Sequence, residues 1–270
     1  MPSPPPPHYN DSMLRRSRVL APIIALVAGC ALLAERSPDD AVALPYVKSF
    51  ASSRPNSAQA PGWQEWSFSR FKKPTRYELV TDSGDLVIKA TADGSASGLR
   101  HSLKLDSAAY PLLTWRWKVN DLIESADNTL ARAEDSPVRL LVTFDGDIEK
   151  LSLAERLLFD NVFLLTGRRM PYATLAYIWE NRLRKGTVVP SAHTSRIKMI
   201  VAESGRENVG RWQTVTRNVV EDFRLAFGEE PGRITSIGIM TDTDNTGTKT
   251  EAFYGDIRFL RPRPPASGRR

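Results

Sequence analysis

The chain has 270 residues, of which 41% are hydrophobic and 25% are charged, a composition that is typical of a globular protein and excludes a largely disordered one. The formal net charge is +6, but the basic residues are dispersed, with only a small group of arginines at the C-terminus. A nucleic-acid-binding protein concentrates its basic residues on one surface, so we predict no nucleic-acid partner.

The N-terminal segment is typical of an export signal. A basic stretch, residues 15–18, precedes an apolar run, residues 19–29, that is too short to span a bilayer. The run ends in Val-Ala-Gly-Cys at Cys30, which resembles a bacterial lipobox. The resemblance implies a signal peptide over residues 1–30, a lipid on Cys30 and a periplasm-facing location in the cell envelope. Ala31 favours the outer membrane, and an ordinary signal peptide with an incidental cysteine is the alternative.

The rest of the chain divides into a linker and one domain. Residues 31–60 are small and polar, which is typical of a linker, and include a candidate first strand near Tyr46–Phe50. From residue 61, short runs of strand character alternate with turn signals, which is typical of an all-β sandwich. We predict a single β-sandwich domain over residues 61–262 and a basic tail over residues 263–270. The predicted strands cover residues 63–68, 76–80, 85–92, 97–105, 112–119, 138–144, 174–179, 195–202, 212–218, 234–240 and 252–260.

One region interrupts the strand pattern. Over residues 148–166, apolar residues recur at helical spacing, so we predict one inserted α-helix that packs on the sandwich. A helix that acts as a lid over a site is the alternative. A short second helix is predicted over Val219–Phe227, because Gly228 supplies a stop signal directly after it.

The last two predicted strands flank an acidic loop, residues 241–247, and we predict that they form a closing hairpin. Asp242, Asp244 and Asn245 place oxygen ligands on one turn, a pattern typical of sites for hard cations. The loop lacks the acidic residue that closes an EF-hand, so polar turn chemistry is the alternative. A structural Ca²⁺ in this loop is the only cofactor that the sequence suggests.

Aromatic and basic side chains on the predicted strands form a candidate ligand site. Aromatic rings on a sheet face can stack on sugar rings, and an arginine can supply hydrogen bonds. The alternation of the aromatic residues also fits a buried core, so both interpretations stay open. The candidate ligand-binding residues are Trp115, Trp117, Arg139, Tyr177 and Trp179.

Catalysis has weaker support in the sequence than binding. Asp135 and Glu180 are candidates for the acid and base of a glycosidase, but nothing in the sequence shows that they meet. His101 and His193 lie far apart without partners at ligand spacing, which argues against a zinc site or a Ser-His-Asp triad. We therefore predict a non-catalytic binding module. A polysaccharide hydrolase or lyase, and a structural lipoprotein that binds a protein partner, stay open as alternatives.

Several motifs follow one another along the chain, in residues 110–119, 134–139, 175–179, 217–219, 238–246 and 254–257. Taken in order, they resemble the DUF3047 family of bacterial exported proteins of unknown function, over roughly Tyr46 to Arg261. The resemblance implies one domain, an envelope location and no established catalytic residues. More loosely, Ser97-Gly98-Leu99, the Trp115 strand and the segment 255–259 resemble jelly-roll sandwiches of the galactose-binding-like kind. Many of these bind carbohydrate, often with a structural calcium.

Overall fold

The computed structural model describes residues 46–53, 60–67, 72–166 and 169–262. The predicted signal peptide with Cys30, most of the linker and the basic tail lie outside these residues. Among the helices that are described, none combines the length and the apolar character needed to cross a membrane.

Two β-sheets make up the described part of the chain and confirm the predicted mainly β, jelly-roll sandwich. One sheet has seven strands in the order β1-β4-β11-β6-β7-β9-β8, and the other has five in the order β10-β5-β12-β3-β2. The described pairings are antiparallel except that of β7 with β9, which is parallel. The strands are β1 (Trp63–Ser67), β2 (Arg76–Asp82), β3 (Asp85–Asp93), β4 (Ala96–Leu105), β5 (Leu112–Val119), β6 (Ser136–Phe144), β7 (Ala173–Glu180), β8 (Val188–Pro190), β9 (Ile197–Ser204), β10 (Gln213–Asn218), β11 (Ile234–Asp242) and β12 (Lys249–Leu260).

The chain passes repeatedly from one sheet to the other, and this corrects the predicted closing hairpin. β11 lies between β4 and β6 in the seven-stranded sheet, whereas β12 lies between β5 and β3 in the five-stranded sheet. The acidic loop between these two strands therefore connects the two sheets. Two strand-like segments on either side of a polar loop have the local pattern of a hairpin. Which sheet each strand joins, however, depends on hydrogen bonds to strands that are distant in the chain.

The inserted helix is confirmed as α1 (Leu153–Thr166). It begins with a capping box, in which Ser152 Oγ accepts a hydrogen bond from Glu155 N and Glu155 Oε2 accepts one from Ser152 N. Phe159 and Val162 are buried in the core that the two sheets enclose. The helix therefore packs on the sandwich.

The second helix, α2 (Val219–Phe227), has the predicted bounds. Asn218 Oδ1 accepts hydrogen bonds from Val220 N and Glu221 N, and Gly228 ends the helix with a φ of 73°.

The candidate first strand near Tyr46–Phe50 is wrong. A 3-10 turn, Phe50–Ser52, lies there instead, and Phe50 packs against Trp63 with ring centroids 5.4 Å apart.

Strand alternation sorts the apolar side chains into two clusters. The larger is the core between the two sheets, which includes Phe144 of β6 and Phe223 of α2 with ring centroids 4.7 Å apart. The smaller, which we call the outer cluster, is buried on the opposite face of the seven-stranded sheet. A sheet face that points away from the partner sheet is commonly polar, so this buried apolar patch marks a special surface. The outer cluster consists of Trp66, Ala96, Leu141, Ala176, Ile178, Val189, Met199, Val201 and Met240.

Candidate functional site

A pocket lies on this face, where the outer cluster meets charged side chains. Its cavity volume is about 80 Å³, which is room for about two or three water molecules at roughly 30 Å³ each. The pocket therefore suits one small ring or a similar group. Its apolar residues are Trp66, Leu141, Ile197 and Met240, and its polar residues are Lys72, Glu134, Arg139, Thr174, Ser191, His193, Asp242, Asp244 and Asn245.

The period of two along each strand puts these residues on one face. In β6, Arg139 and Leu141 belong to the pocket, while Val138 and Leu140 belong to the core. Trp66 lies against Gly98 of β4, where an added Cβ would come within 2.5 Å of the indole nitrogen. Because Gly98 has no side chain, the indole can approach the sheet closely.

A buried ion pair forms part of the pocket lining. Arg139 donates to both carboxylate oxygens of Asp242, with Nε–Oδ1 at 2.8 Å and Nη2–Oδ2 at 3.0 Å. Arg139 Nη2 also donates to the backbone oxygen of Glu134 at 2.5 Å. Both side chains of the pair are almost fully buried. Burial raises the pKa of Asp242 to about 7, and the carboxylate of Asp135 adds to the rise, while Arg139 opposes it.

The acidic loop brings three carboxylates together. Asp135, Asp242 and Asp244 each have an oxygen within 4.8 Å of the others. Asp244 pairs with Lys72 Nζ at 2.5 Å, and Asp135 accepts hydrogen bonds from Thr246 N and Thr246 Oγ1, each at 2.7 Å. Protein cations and donors therefore already surround all three groups.

The predicted cation ligands are only partly assembled. Asp242 and Asp244 meet as expected, but Asn245 turns its amide nitrogen toward Asp135 Oδ1 at 3.3 Å, so Asp135 is the third carboxylate. A Ca²⁺ at this position would have to share Asp242 with Arg139 and Asp244 with Lys72, which is an unfavourable arrangement of positive charges. Calcium binding by this loop stays a prediction.

The predicted aromatic ligand platform is corrected by the structure. Trp115, Trp117, Tyr177 and Trp179 are at most 1% exposed and pack against one another in the core. Their alternation places them on the inner faces of β5 and β7, so the core interpretation of the pattern holds. Of the five candidate ligand-binding residues, Arg139 alone lines the pocket.

The two candidate catalytic carboxylates serve separate turns. Glu180 Oε2 accepts hydrogen bonds from Arg182 N and Leu183 N, at 2.5 and 2.6 Å, directly after β7. Asp135 holds the acidic loop through Asn245 and Thr246. Among the described residues no hydrogen bond joins Asp135 to Glu180. Carboxylates bound by backbone amides in this way stabilise turns, and they are poorly placed to exchange protons with a substrate.

Several pocket residues were not among the predicted site residues. The position of Trp66 was predictable from the sequence, because Trp66 lies an odd number of residues after Trp63 in β1. Side chains at such a spacing point to opposite faces of a strand, so one of the two indoles lies on the outer face. Glu134 and His193 lie outside the strands, and no local pattern relates their positions to the sheet.

Comparisons with known proteins agree with the family resemblance. The family described as "Protein of unknown function (DUF3047)" matches residues 61–258. A search of curated proteins found no match.

Among solved structures, a family 11 carbohydrate-binding module of a cellulosomal cellulase of Clostridium thermocellum has a TM-score of 0.41 at 10% identity, covering 83% of this chain and 99% of that one. A family 30 carbohydrate-binding module of another cellulosomal cellulase of Clostridium thermocellum has a TM-score of 0.35 at 10% identity, covering 77% and 91%. The xyloglucanase domain of a type three effector from Sinorhizobium fredii has a TM-score of 0.39 at 9% identity, covering 76% and 100%.

Proposed function

The chain belongs to the DUF3047 family of proteins of unknown function, and we propose that it is a non-catalytic binding protein for a carbohydrate-type ligand. We further propose that it works in the bacterial cell envelope, where a lipid on Cys30 would hold it to a membrane.

The pocket carries the binding proposal because its lining combines apolar surface with hydrogen-bonding groups, and a sugar ring presents both kinds of surface. Trp66, Leu141 and Met240 supply apolar surface for the C–H face of a ring. Asn245, Ser191 and the charged lining residues supply donors and acceptors for hydroxyl groups. The non-catalytic part of the proposal is supported by the engagement of Asp135 and Glu180 in turns.

Filling the pocket is expected to abolish sugar binding. Ile197 is one of the apolar residues that line the pocket, so Ile197→Trp would occupy the space that a ring needs. We would titrate the wild-type protein and the variant with neutral and charged monosaccharides, and follow backbone amide shifts by NMR. The expected shifts in the wild type centre on β6, β9 and β11 and disappear in the variant.

Thr216→Trp is the matched control for this experiment. Thr216 is exposed on β10 of the other sheet, so the same side chain added there leaves the pocket open. Binding that survives Ile197→Trp would place the ligand elsewhere on the protein. A wild-type protein that binds none of the sugars would refute the carbohydrate proposal.

The membrane proposal rests on the sequence around Cys30 and is tested separately. Cells that express the full chain would be labelled with a radioactive or alkyne-tagged fatty acid and then fractionated. We expect label on the wild-type protein in the membrane fraction, and none on Cys30→Ser, which should lose its stable membrane association. Labelling of Cys30→Ser at the wild-type level would refute the assignment of the lipid to Cys30.

A further inference from the structure

Three buried polar atoms of the pocket residues lack hydrogen-bond partners among the described residues. They are Glu134 Oε2, Thr174 Oγ1 and His193 Nε2. Glu134 Oε2 and His193 Nε2 lie 4.0 Å apart, and Thr174 is only 2% exposed. Buried polar atoms without partners are costly, and a native protein seldom keeps several of them in one place without a function. A ligand that hydrogen-bonds to these atoms would remove this cost.

The charges around the pocket indicate what kind of group such a ligand carries. Arg139 pairs with Asp242 and Lys72 pairs with Asp244, so these four groups are neutral when Asp242 is ionised and carry one positive charge when it is protonated. Asp135 and Glu134 add two carboxylates, and the described residues that line the pocket offer no further lysine or arginine to them, since Glu134 Oε1 reaches Arg139 Nη1 only at 3.6 Å. Burial lowers the pKa of His193 and so favours its neutral form. The described residues around the pocket therefore carry an excess of negative charge.

We propose that the pocket selects ligands that carry a protonated amine, as an amino sugar does, and that Glu134 is the residue that recognises it. This inference rests on the proposed function and names its ligand class. An ammonium group has three donors and no acceptor, so it can donate to Glu134 Oε2 and, when the neutral imidazole of His193 carries its proton on Nδ1, to Nε2 of His193 at once. It also offsets the excess negative charge. A sugar acid would add negative charge to the same site and is expected to bind most weakly.

The test compares ligands that differ in one group. Glucosamine, glucose and glucuronic acid would be titrated into the protein at about pH 6.5, below the usual pKa of an amine. We expect glucosamine to bind at least about tenfold more tightly than glucose, because a charge-assisted hydrogen bond replaces a neutral one. Glucuronic acid is expected to bind more weakly than either. Equal affinities for glucosamine and glucose would overturn the inference and leave the proposed function standing.

Glu134→Gln tests the role assigned to the carboxylate. This variant keeps the size of the side chain but removes its charge, so the ratio of glucosamine to glucose affinity is expected to fall to about one. Glu207→Gln is the matched control, because Glu207 is exposed and lies outside the pocket. A ratio that stays at the wild-type value in Glu134→Gln would overturn the assignment to Glu134.

Two further probes separate failure of this inference from failure of the proposed function. Cyclohexylamine and cyclohexanol carry the amine or the hydroxyl group on a ring that is not a sugar. Binding of cyclohexylamine by a protein that binds no sugar would support the amine site and refute the carbohydrate proposal. A protein that binds neither glucosamine nor cyclohexylamine, but whose pocket amide signals shift when Ca²⁺ is added, would overturn the inference in favour of a metal site.

Discussion

Replacing Arg139 with methionine is expected to destabilise the protein by about 3–5 kcal/mol at about pH 8, because the change leaves the Asp242 carboxylate buried without its partner. Arg139 is 5% exposed and Asp242 is 3% exposed, so the carboxylate has little contact with water to compensate for the lost guanidinium. The measurement is the free energy of unfolding from urea denaturation of the variant and the wild type.

The pH dependence of this loss separates charge from packing. Burial holds the pKa of Asp242 in the folded protein at about 7, above the ordinary value of 3.8. The folded state therefore binds this proton more tightly than the unfolded state. The stabilisation that comes from binding this proton is therefore fully present below about pH 3.8. It is lost as the pH rises through about 7.

Without Arg139, the pKa of Asp242 is expected to rise further, so the penalty of Arg139→Met should shrink between about pH 8 and about pH 5 as the carboxyl takes up its proton. A loss that is equal at both pH values would show that packing, not the unpaired charge, causes the destabilisation. Arg258→Met is the control, because the Arg258 side chain is 65% exposed and its ion pair with Asp256 is at the surface. Its removal should change stability little.

Replacing Trp117 with alanine is expected to cost about 3–5 kcal/mol of stability, because the change leaves a large cavity between the sheets. Trp117 is fully buried, and its ring centroid lies 5.3 Å from that of Trp115 and 6.4 Å from that of Trp179. For a domain of this size the melting temperature should fall by about 2–4 °C for each kcal/mol. Thermal unfolding followed by circular dichroism provides the measurement.

Trp212→Ala is the matched control for this substitution. Trp212 lies half-buried on the outer face of the five-stranded sheet, against Arg116 and Lys118. Its indole nitrogen donates a hydrogen bond to Asp82. Its loss removes surface contacts without opening the core, so the melting temperature should fall less. A Trp117→Ala protein that melts like the wild type and fails to bind sugars would restore the ligand platform predicted from the sequence.

The strand pattern shows how far local sequence information reaches. In β5, alternation correctly separated Trp115 and Trp117 from Arg116 and Lys118. It could not tell which set faces the partner sheet and which faces outward, because both faces of a strand in a sandwich can carry aromatic residues. This explains why the predicted ligand platform coincides with the core, while Arg139 of β6 is the one candidate ligand-binding residue that lines the pocket.

The sequence by itself determined the types of most elements and the bounds of α2, because caps, turns and periodicity are local. Asn218 and Gly228 delimit α2 through bonds to residues that lie within four positions of them. Only the tertiary structure decided that β11 and β12 belong to different sheets and that Trp66, Arg139, His193 and Asp242 meet in one pocket. Sheet membership and burial arise from hydrogen bonds and packing between segments as much as 170 or so residues apart, for which no short pattern exists.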